Sequence, residues 1–376
     1  MNGGLIDYQA AVVGFAVAFL LAVLLTPVVS QLAWMTGIVD TSVDERRMHQ
    51  RPTPLLGGLA ILGAIVIPSA ALGHSHGFWG IIAGAALMCA LGALDDIRPL
   101  HPGAKMLGIV LIACIPAALG VTIDHVTLPL IGVFDLGVWQ YPVTVFWIVA
   151  IVNIVNFIDG LDGLAAGFCG IASLTFAVLS VSLGRADAAA ISAIVAGAAF
   201  GFLIYNFNPA TIFMGDSGSL MLGYLLAALA IQGVLKTAAA VSLVFPLMVL
   251  ALPILDTSFV ILKRIKHGQP IYQADRWHFH HRFANIGFSQ RRTALYLYGW
   301  CCILSALALA IRFVPNHRHD WSPVAIGVLV GLGLLAVCTS VYVIYLLEIL
   351  KVRHLRAIGL LRSRGGEDVP QSKRAA

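Results

Sequence analysis

Polar side chains of the kinds that handle phosphate and hard cations recur in this chain within an otherwise apolar sequence. The densest run is Asn153-Ile-Val-Asn156-Phe-Ile-Asp159-Gly160-Leu-Asp162-Gly163, two amides and two carboxylates at three-residue spacing. A charged side chain at the centre of a membrane helix costs roughly 2.5–3.5 kcal/mol, so carboxylates in such a setting are functional by default. A continuous helix turns about 100° per residue, which would send Asn153 and Asp162 to opposite faces. The spacing therefore predicts two pieces: one helix ending near Asp159, a turn at Gly160 and a second helix beginning near Asp162. Four polar groups then converge where a cation or a phosphate can sit.

Four further clusters carry related chemistry. Asp95 and Asp96 are adjacent carboxylates at the end of an apolar run, an unfavourable place beside the negative pole of a helix, and Lys105 a few residues on is a natural phosphate partner. In Asn206-Phe-Asn208-Pro209 through Phe213-Met-Gly215-Asp216-Ser217-Gly-Ser219, Pro209 ends one helix. Ser217 or Ser219 is expected to cap the next, leaving amides for an anion, with Asp216 beside them to hold a metal. His278, His280, His281 and Arg282 stand in a basic loop without zinc-site spacing and suit a phosphate or a sugar. The stretch from Asp44 to Gly58 reads as a basic loop leading into a helix, where Gly57 and Gly58 could let a ligand approach the backbone. Carboxylates and amides without cysteine call for a hard cation, Mg²⁺ or Mn²⁺, held partly through substrate phosphates. Together these parts describe phosphoryl transfer from a nucleotide diphosphate at a membrane surface.

The elements that position these residues are helices in a bilayer. The chain is 59% hydrophobic and only 11% charged, outside the range of soluble domains. Apolar runs of spanning length fall at about 8–34, 55–72, 78–94, 104–120, 142–158, 162–183, 188–205, 218–235, 239–262, 293–313 and 323–347. The expected fold is an all-α polytopic membrane protein of about eleven helices. It is read as one catalytic domain over residues 1–350, with the loop 263–292 recognising sugar and diphosphate, and a basic, partly disordered tail over 351–376. The first apolar run is long and lacks a basic stretch before it, so a retained span is expected rather than a cleaved leader. Of the 23 lysines and arginines, only Arg185, Lys236, Arg312 and Arg318 fall on one side of the membrane, which places the N-terminus outside and the C-terminus inside. All five clusters then share the cytoplasmic face. The net charge of +5 reflects this asymmetry and attraction to anionic lipid, not nucleic acid. The six cysteines read as packing residues, Trp34, Trp79, Trp147 and Trp321 as interfacial anchors, and Val121–Tyr141 as a short external hairpin.

From about Arg46 to Arg292 the ordered motifs resemble the polyprenyl-phosphate N-acetylhexosamine-1-phosphate transferases. The resemblance implies Mg²⁺-dependent transfer of a sugar-1-phosphate from a UDP-sugar to a polyprenyl phosphate, releasing UMP, in the bacterial cytoplasmic membrane. It implies that Asp95 and Asp96 are the paired catalytic carboxylates and that Asp162 and Asp216 bind the metal. Asn156, Asn206 and Phe213 match positions near the uridine, with Phe213 stacking on uracil, and Asp159 and Lys105 join the substrate site. His278, His280, His281 and Arg282 match the loop that reads the sugar and diphosphate. The branch transferring phospho-MurNAc-pentapeptide has three adjacent histidines there followed by an acidic residue, whereas this chain reads His-Phe-His-His-Arg. It is therefore more similar to the branch using UDP-GlcNAc, at the first membrane step of wall, teichoic acid or O-antigen assembly.

The expected mechanism is a single in-line displacement with Asp95 as base, the covalent aspartyl-phosphate route being left open by the sequence. A homodimer is compatible with this reading. The alternatives are the phospho-MurNAc-pentapeptide reaction of the same family and, from another class, an ion-coupled transporter, which Asp256 inside the ninth run would favour.

Overall fold

The computed structural model describes residues 3–40, 52–72, 76–128, 132–235, 243–266, 283, 287–314 and 322–346. The helices are α1 (Gly3–Thr36), α2 (Gly57–Leu72), α3 (His76–Ile97), α4 (Pro102–Ala118), α5 (Gln140–Ile158) and α6 (Leu164–Ser182). They continue with α7 (Ala186–Asn206), α8 (Gly215–Ala230), α9 (Val244–Val249), α10 (Ala251–Lys266), α11 (Gln290–Phe313) and α12 (Pro323–Leu346). Among the described residues eight helices are long and apolar enough to cross a membrane, α1, α3, α5, α6, α7, α8, α11 and α12, while α2 and α4 are shorter apolar helices. The chain is a multi-pass membrane protein on these grounds. Its surface agrees, since Leu24, Phe146 and Leu334 are 66%, 75% and 60% exposed, as side chains facing lipid would be.

The ninth expected run does not form one helix among the described residues. α9 and α10 break at Leu250. Pro253 has no N–H to offer the carbonyl of Val249, and its ring crowds that carbonyl, so the chain restarts with the proline in the first turn of α10. Asp256 is buried in α10 and is not without a partner.

α8 sits at the centre, buried along almost all its length, and continues as a π-helical turn, Ile231–Leu235. α2, α3, α5 and α6 pack around it. Phe168, Phe176, Phe202, Phe283 and Tyr224 are the largest side chains wholly enclosed in this core among the described residues. Two short antiparallel ladders complete the described chain. β1 (Val39–Asp40) pairs with β2 (Thr53–Pro54), and β3 (His125–Leu128) pairs with β4 (Gly132–Asp135) through Val126 opposite Phe134.

Trp147 departs from the expected anchor role. It lies mid-helix in α5 and its indole N–H donates to the carbonyl of Ala227 in α8 at 3.2 Å, so it ties helices together. Trp34 and Trp79 are 53% and 40% exposed, and Trp321 lies outside the described residues. All six cysteines are free, with Cys89, Cys169 and Cys301 buried.

Candidate active site

The helix ends that carry the motifs meet at one end of the bundle: the last turns of α3, α5 and α7 and the first turns of α4, α8 and α11. The C-terminal turn of α3 delivers Asp95 and Asp96 in different directions, since successive helical residues diverge by about 100°. Asp95 accepts from the backbone N–H of Leu100 at 2.6 Å through Oδ1, and its Oδ2 pairs with Lys105 Nζ at 2.9 Å. Lys105, in the first turn of α4, also pairs with Asp216 Oδ2. One ammonium therefore links the two carboxylates and offsets the repulsion that would separate them.

Asp96 does something else. Its Oδ1 and Oδ2 accept from the backbone N–H groups of Asp216 and Ser217 at 2.8 and 3.0 Å. These are unpaired amides in the first turn of α8, where a negative group is favoured by both hydrogen bonding and the helix dipole. The serines do not cap this helix as expected. Ser217 donates back to the carbonyl of Met214 and Ser219 to that of Gly215. The anion taken by the start of α8 is the protein's own.

Backbone contact fixes the same helix start from two further sides. Pro54 O accepts from Phe213 N at 2.9 Å, and Gly57 N and Gly58 N donate to Phe213 O and Met214 O, each at 3.0 Å. A Cβ at Gly58 would lie 2.3 Å from Gly218 N, and one at Gly92 would lie 2.3 Å from Asp216 O. The close approach expected at Gly57 and Gly58 is made by this strand of the protein, with α3 contributing Gly92 on the other side.

Of the four polar groups in the Asn153–Asp162 run, three reach the centre. Asn156 Nδ2 donates to Asp216 Oδ1 at 2.6 Å and to Ser219 Oγ at 2.9 Å, which orients the Asp216 carboxylate. Asn153 turns away and donates to Val149 O at 2.7 Å within its own helix. α5 ends at Ile158, the chain turns at Asp159–Gly160 as expected, and Gly163, just before α6, takes a left-handed conformation, φ +77°. Gly163 N donates to Asn206 Oδ1 at 3.1 Å and its carbonyl accepts from Tyr298 OH at 2.5 Å, so the turn is gripped on both sides.

Within that turn Asp162 is nearly buried, and its Oδ2 accepts from Ala210 N at 3.0 Å and from Asn208 Nδ2 at 2.9 Å. Asp159 is half-buried and its carboxylate has no hydrogen bond or ion pair among the described residues. Burial, with the negative charges of Asp216, Asp96 and Asp162 around it, pushes its carboxyl well above the ordinary carboxylate range.

Asn206 is 3% exposed, and its amide is used on both sides by the protein, Oδ1 by Gly163 and Nδ2 by the carbonyl of Ile212 at 2.9 Å. It braces the turn against the loop before α8. Phe213 lies in that loop, held by Pro54 and Gly57. His278, His280, His281 and Arg282 lie outside the described residues, as does the stretch 41–51. Tyr298, Gln290 and Arg291 of α11 were not marked by the sequence. An aromatic residue in an apolar helix and a polar residue in its first turn carry no signal of their own.

Among the described residues no three His, Cys, Asp or Glu side chains converge as a closed metal site. The donor set still suits a hard cation that keeps most of its ligands as water and phosphate. Oxygen donors cluster here without thiolate or imidazole among the described contacts, and Asp159 is a carboxylate facing like charges without a donor among the described residues. An apolar cavity of about 300 Å³ lined by Phe15, Leu174, Ala177, Val178 and Phe313 lies instead at the far ends of α6 and α11.

Residues 78–234, which carry most of this centre, match the family described as glycosyl transferase family 4. A probable undecaprenyl-phosphate N-acetylglucosaminyl 1-phosphate transferase of Bacillus subtilis is 40% identical over 303 residues, covering 79% of this chain and 84% of that protein. A decaprenyl-phosphate N-acetylglucosaminephosphotransferase of Mycobacterium tuberculosis is 34% identical over 358 residues, covering 86% and 87%. A phospho-N-acetylmuramoyl-pentapeptide-transferase of Desulforudis audaxviator is 31% identical over 337 residues, covering 79% and 97%. The chain belongs to glycosyl transferase family 4 and is a transferase of its polyprenyl-phosphate branch.

Proposed function

We propose that this protein transfers GlcNAc-1-phosphate from UDP-GlcNAc to a polyprenyl phosphate, at the cytoplasmic face of a bacterial cytoplasmic membrane. An oxygen of the prenyl phosphate attacks the β-phosphorus of the donor. The bond from that phosphorus to the bridging oxygen breaks, and UMP leaves with the bond's electrons, giving polyprenyl-diphosphate-GlcNAc. The observation that carries this reading is the Asp95–Lys105–Asp216 bridge beside Asp159, which has no partner among the described residues, at the end of an apolar bundle. A centre at that depth can meet a water-soluble donor and a lipid phosphate together.

Asp216 and Asp162 would hold Mg²⁺ or Mn²⁺, with water and substrate phosphate as the other ligands and Asp159 beside them, and the ion when bound neutralises charge on the donor's diphosphate. Asp95 takes the last proton of the prenyl phosphate. Lys105, already shared between two carboxylates, turns toward the incoming phosphate and exchanges one carboxylate for it. Asn156 holds the Asp216 carboxylate in one rotation, and Asp96 holds the backbone beneath it. Phe213 stacks on uracil, and the His278–Arg282 loop contacts the sugar and diphosphate. The product would feed the enzymes that extend a lipid-linked glycan.

The test is UMP release from UDP-GlcNAc by purified protein with detergent-solubilised polyprenyl phosphate. Release that needs the lipid and stops with a chelator is expected. Release only from a UDP-MurNAc-pentapeptide donor would move the chain to the other branch. Ion-driven solute uptake into proteoliposomes with no UMP release would replace the enzyme reading with transport.

A further inference from the structure

We propose that Gln290, with Arg291, is a positioning residue that holds Asp162 through Asn208. Asp162 contributes one carboxylate oxygen, Oδ2, to two donors, the N–H of Ala210 at 3.0 Å and Nδ2 of Asn208 at 2.9 Å. The same Nδ2 donates to Gln290 Oε1 at 2.7 Å, and the carbonyl of Asn208 accepts from Arg291 Nε at 2.5 Å. An amide nitrogen has two hydrogens, so the donors of Asn208 are filled by one acceptor on each side. Turning the amide would break both bonds at once. The orientation that serves Asp162 is therefore set by an acceptor on another helix.

That helix is itself fixed at this end. Ser289 caps α11, its Oγ accepting from Arg292 N at 3.4 Å while its carbonyl accepts from Thr293 Oγ1 at 3.2 Å. Two turns further along, Tyr298 grips Gly163, the residue after Asp162. α11 thus holds the Asp162 segment at the side chain through Asn208 and at the backbone through Tyr298. Gln290 and Arg291 act on the carboxylate through Asn208, so their contribution is geometric.

The activity arm of the test rests on the transferase reading, and a second arm does not. Asn208→Ala, Gln290→Leu, the double variant and Gln290→Glu, which keeps an acceptor oxygen at the same reach, are compared with the native chain in detergent. Gln290→Leu and Asn208→Ala should each lower kcat for UMP release roughly tenfold, through loss of the Asn208 orientation that serves the Asp162 carboxylate. KM for polyprenyl phosphate should stay within about twofold, since binding of the lipid is not what Asp162 is positioned for. The double variant should lose no more than the worse single one, and Gln290→Glu should keep most of the activity. Equal losses in Gln290→Leu and Gln290→Glu, or losses that multiply in the double variant, would overturn the proposal. If the native chain releases no UMP, the transferase reading has failed. The same cycle on unfolding temperature still decides the contact: effects of Asn208→Ala and Gln290→Leu that merely add show that the residues do not act together.

Discussion

Asp95 and Asp96 are neighbours in sequence whose substitution by asparagine should separate activity from stability. Asp96 accepts two backbone N–H groups at the start of α8, at 2.8 and 3.0 Å. Hydrogen bonds to a charged partner contribute roughly 1.5–3 kcal/mol each, and loss of a helix cap costs about 0.5–2 kcal/mol. Asparagine keeps one acceptor and turns an NH₂ toward the other amide, so Asp96→Asn should destabilise by about 2–3 kcal/mol. Asp95→Asn loses less. The amide oxygen of the new side chain would still accept from Leu100 N–H, and only the ion pair with Lys105 is given up, worth on the order of 1 kcal/mol in this partly exposed setting. Thermal unfolding in detergent and UMP release, measured on both variants, separate the two roles. Asp95→Asn should unfold near the native temperature while kcat falls about 100-fold or more, as loss of a general base does. Asp96→Asn should lose heat stability and activity together, because the backbone of Asp216 is no longer held. An Asp96→Asn chain as heat-stable as the native one, or an Asp95→Asn chain that unfolds as early as Asp96→Asn, would refute this division.

Gly92→Ala places a methyl against the carbonyl of Asp216, which cannot rotate aside, so it should destabilise by about 1–3 kcal/mol or more and lower UMP release. Gly299→Ala, whose added Cβ meets nothing within 4 Å, should do neither. Lys105→Gln leaves Asp95 and Asp216 facing each other, and UMP release should drop about 100-fold, with Mg²⁺ raising the variant's unfolding temperature more than the native chain's. Asp159 gives a pH signature. Its folded carboxyl binds a proton more tightly than the unfolded one, so Asp159's own contribution to stability falls as pH rises and returns on acidification. In chelator, Asp159→Asn should therefore be more heat-stable than the native chain at alkaline pH, and that advantage should vanish below about pH 4, near the unfolded carboxyl's pKa. A difference in unfolding temperature that is constant across pH would contradict it.

Helix positions were legible because a bilayer demands long apolar runs whatever the packing. The junction after Ile158 was legible too, from the polar spacing alone. What failed locally were features set by a single residue's backbone. Pro253 broke the ninth run because it fell in mid-run, and at the junction, where the turn at Gly160 forms as expected, a second glycine, Gly163, takes the left-handed conformation. Both glycines are one residue past an aspartate, and sequence offers nothing to choose between them. The choice follows from contacts: the carbonyl of Gly163 is taken by Tyr298 and its N–H by Asn206, from helices far away in the chain.

The site shows the same limit on a larger scale. Sequence identifies which residues carry charge but not which donors reach them, and at this centre the donors decide the roles. Both members of the Asp95–Asp96 pair were read as chemical because a pair at a helix end is hard to explain cheaply. One of them is explained by a second helix whose N-terminus needs an anion. The same reasoning separates Asn156 from Asn206. Each is an amide near carboxylates, yet Asn156 spends its N–H groups on Asp216 and Ser219, while Asn206 spends its amide on two backbone groups and a buried turn. A carboxylate that already holds backbone amides is costly to move, and one that faces only like charges is costly to leave alone. On that criterion Asp96 is the carboxylate tied to backbone amides, and Asp159 is the residue at this centre whose surroundings most need something the described chain itself does not supply.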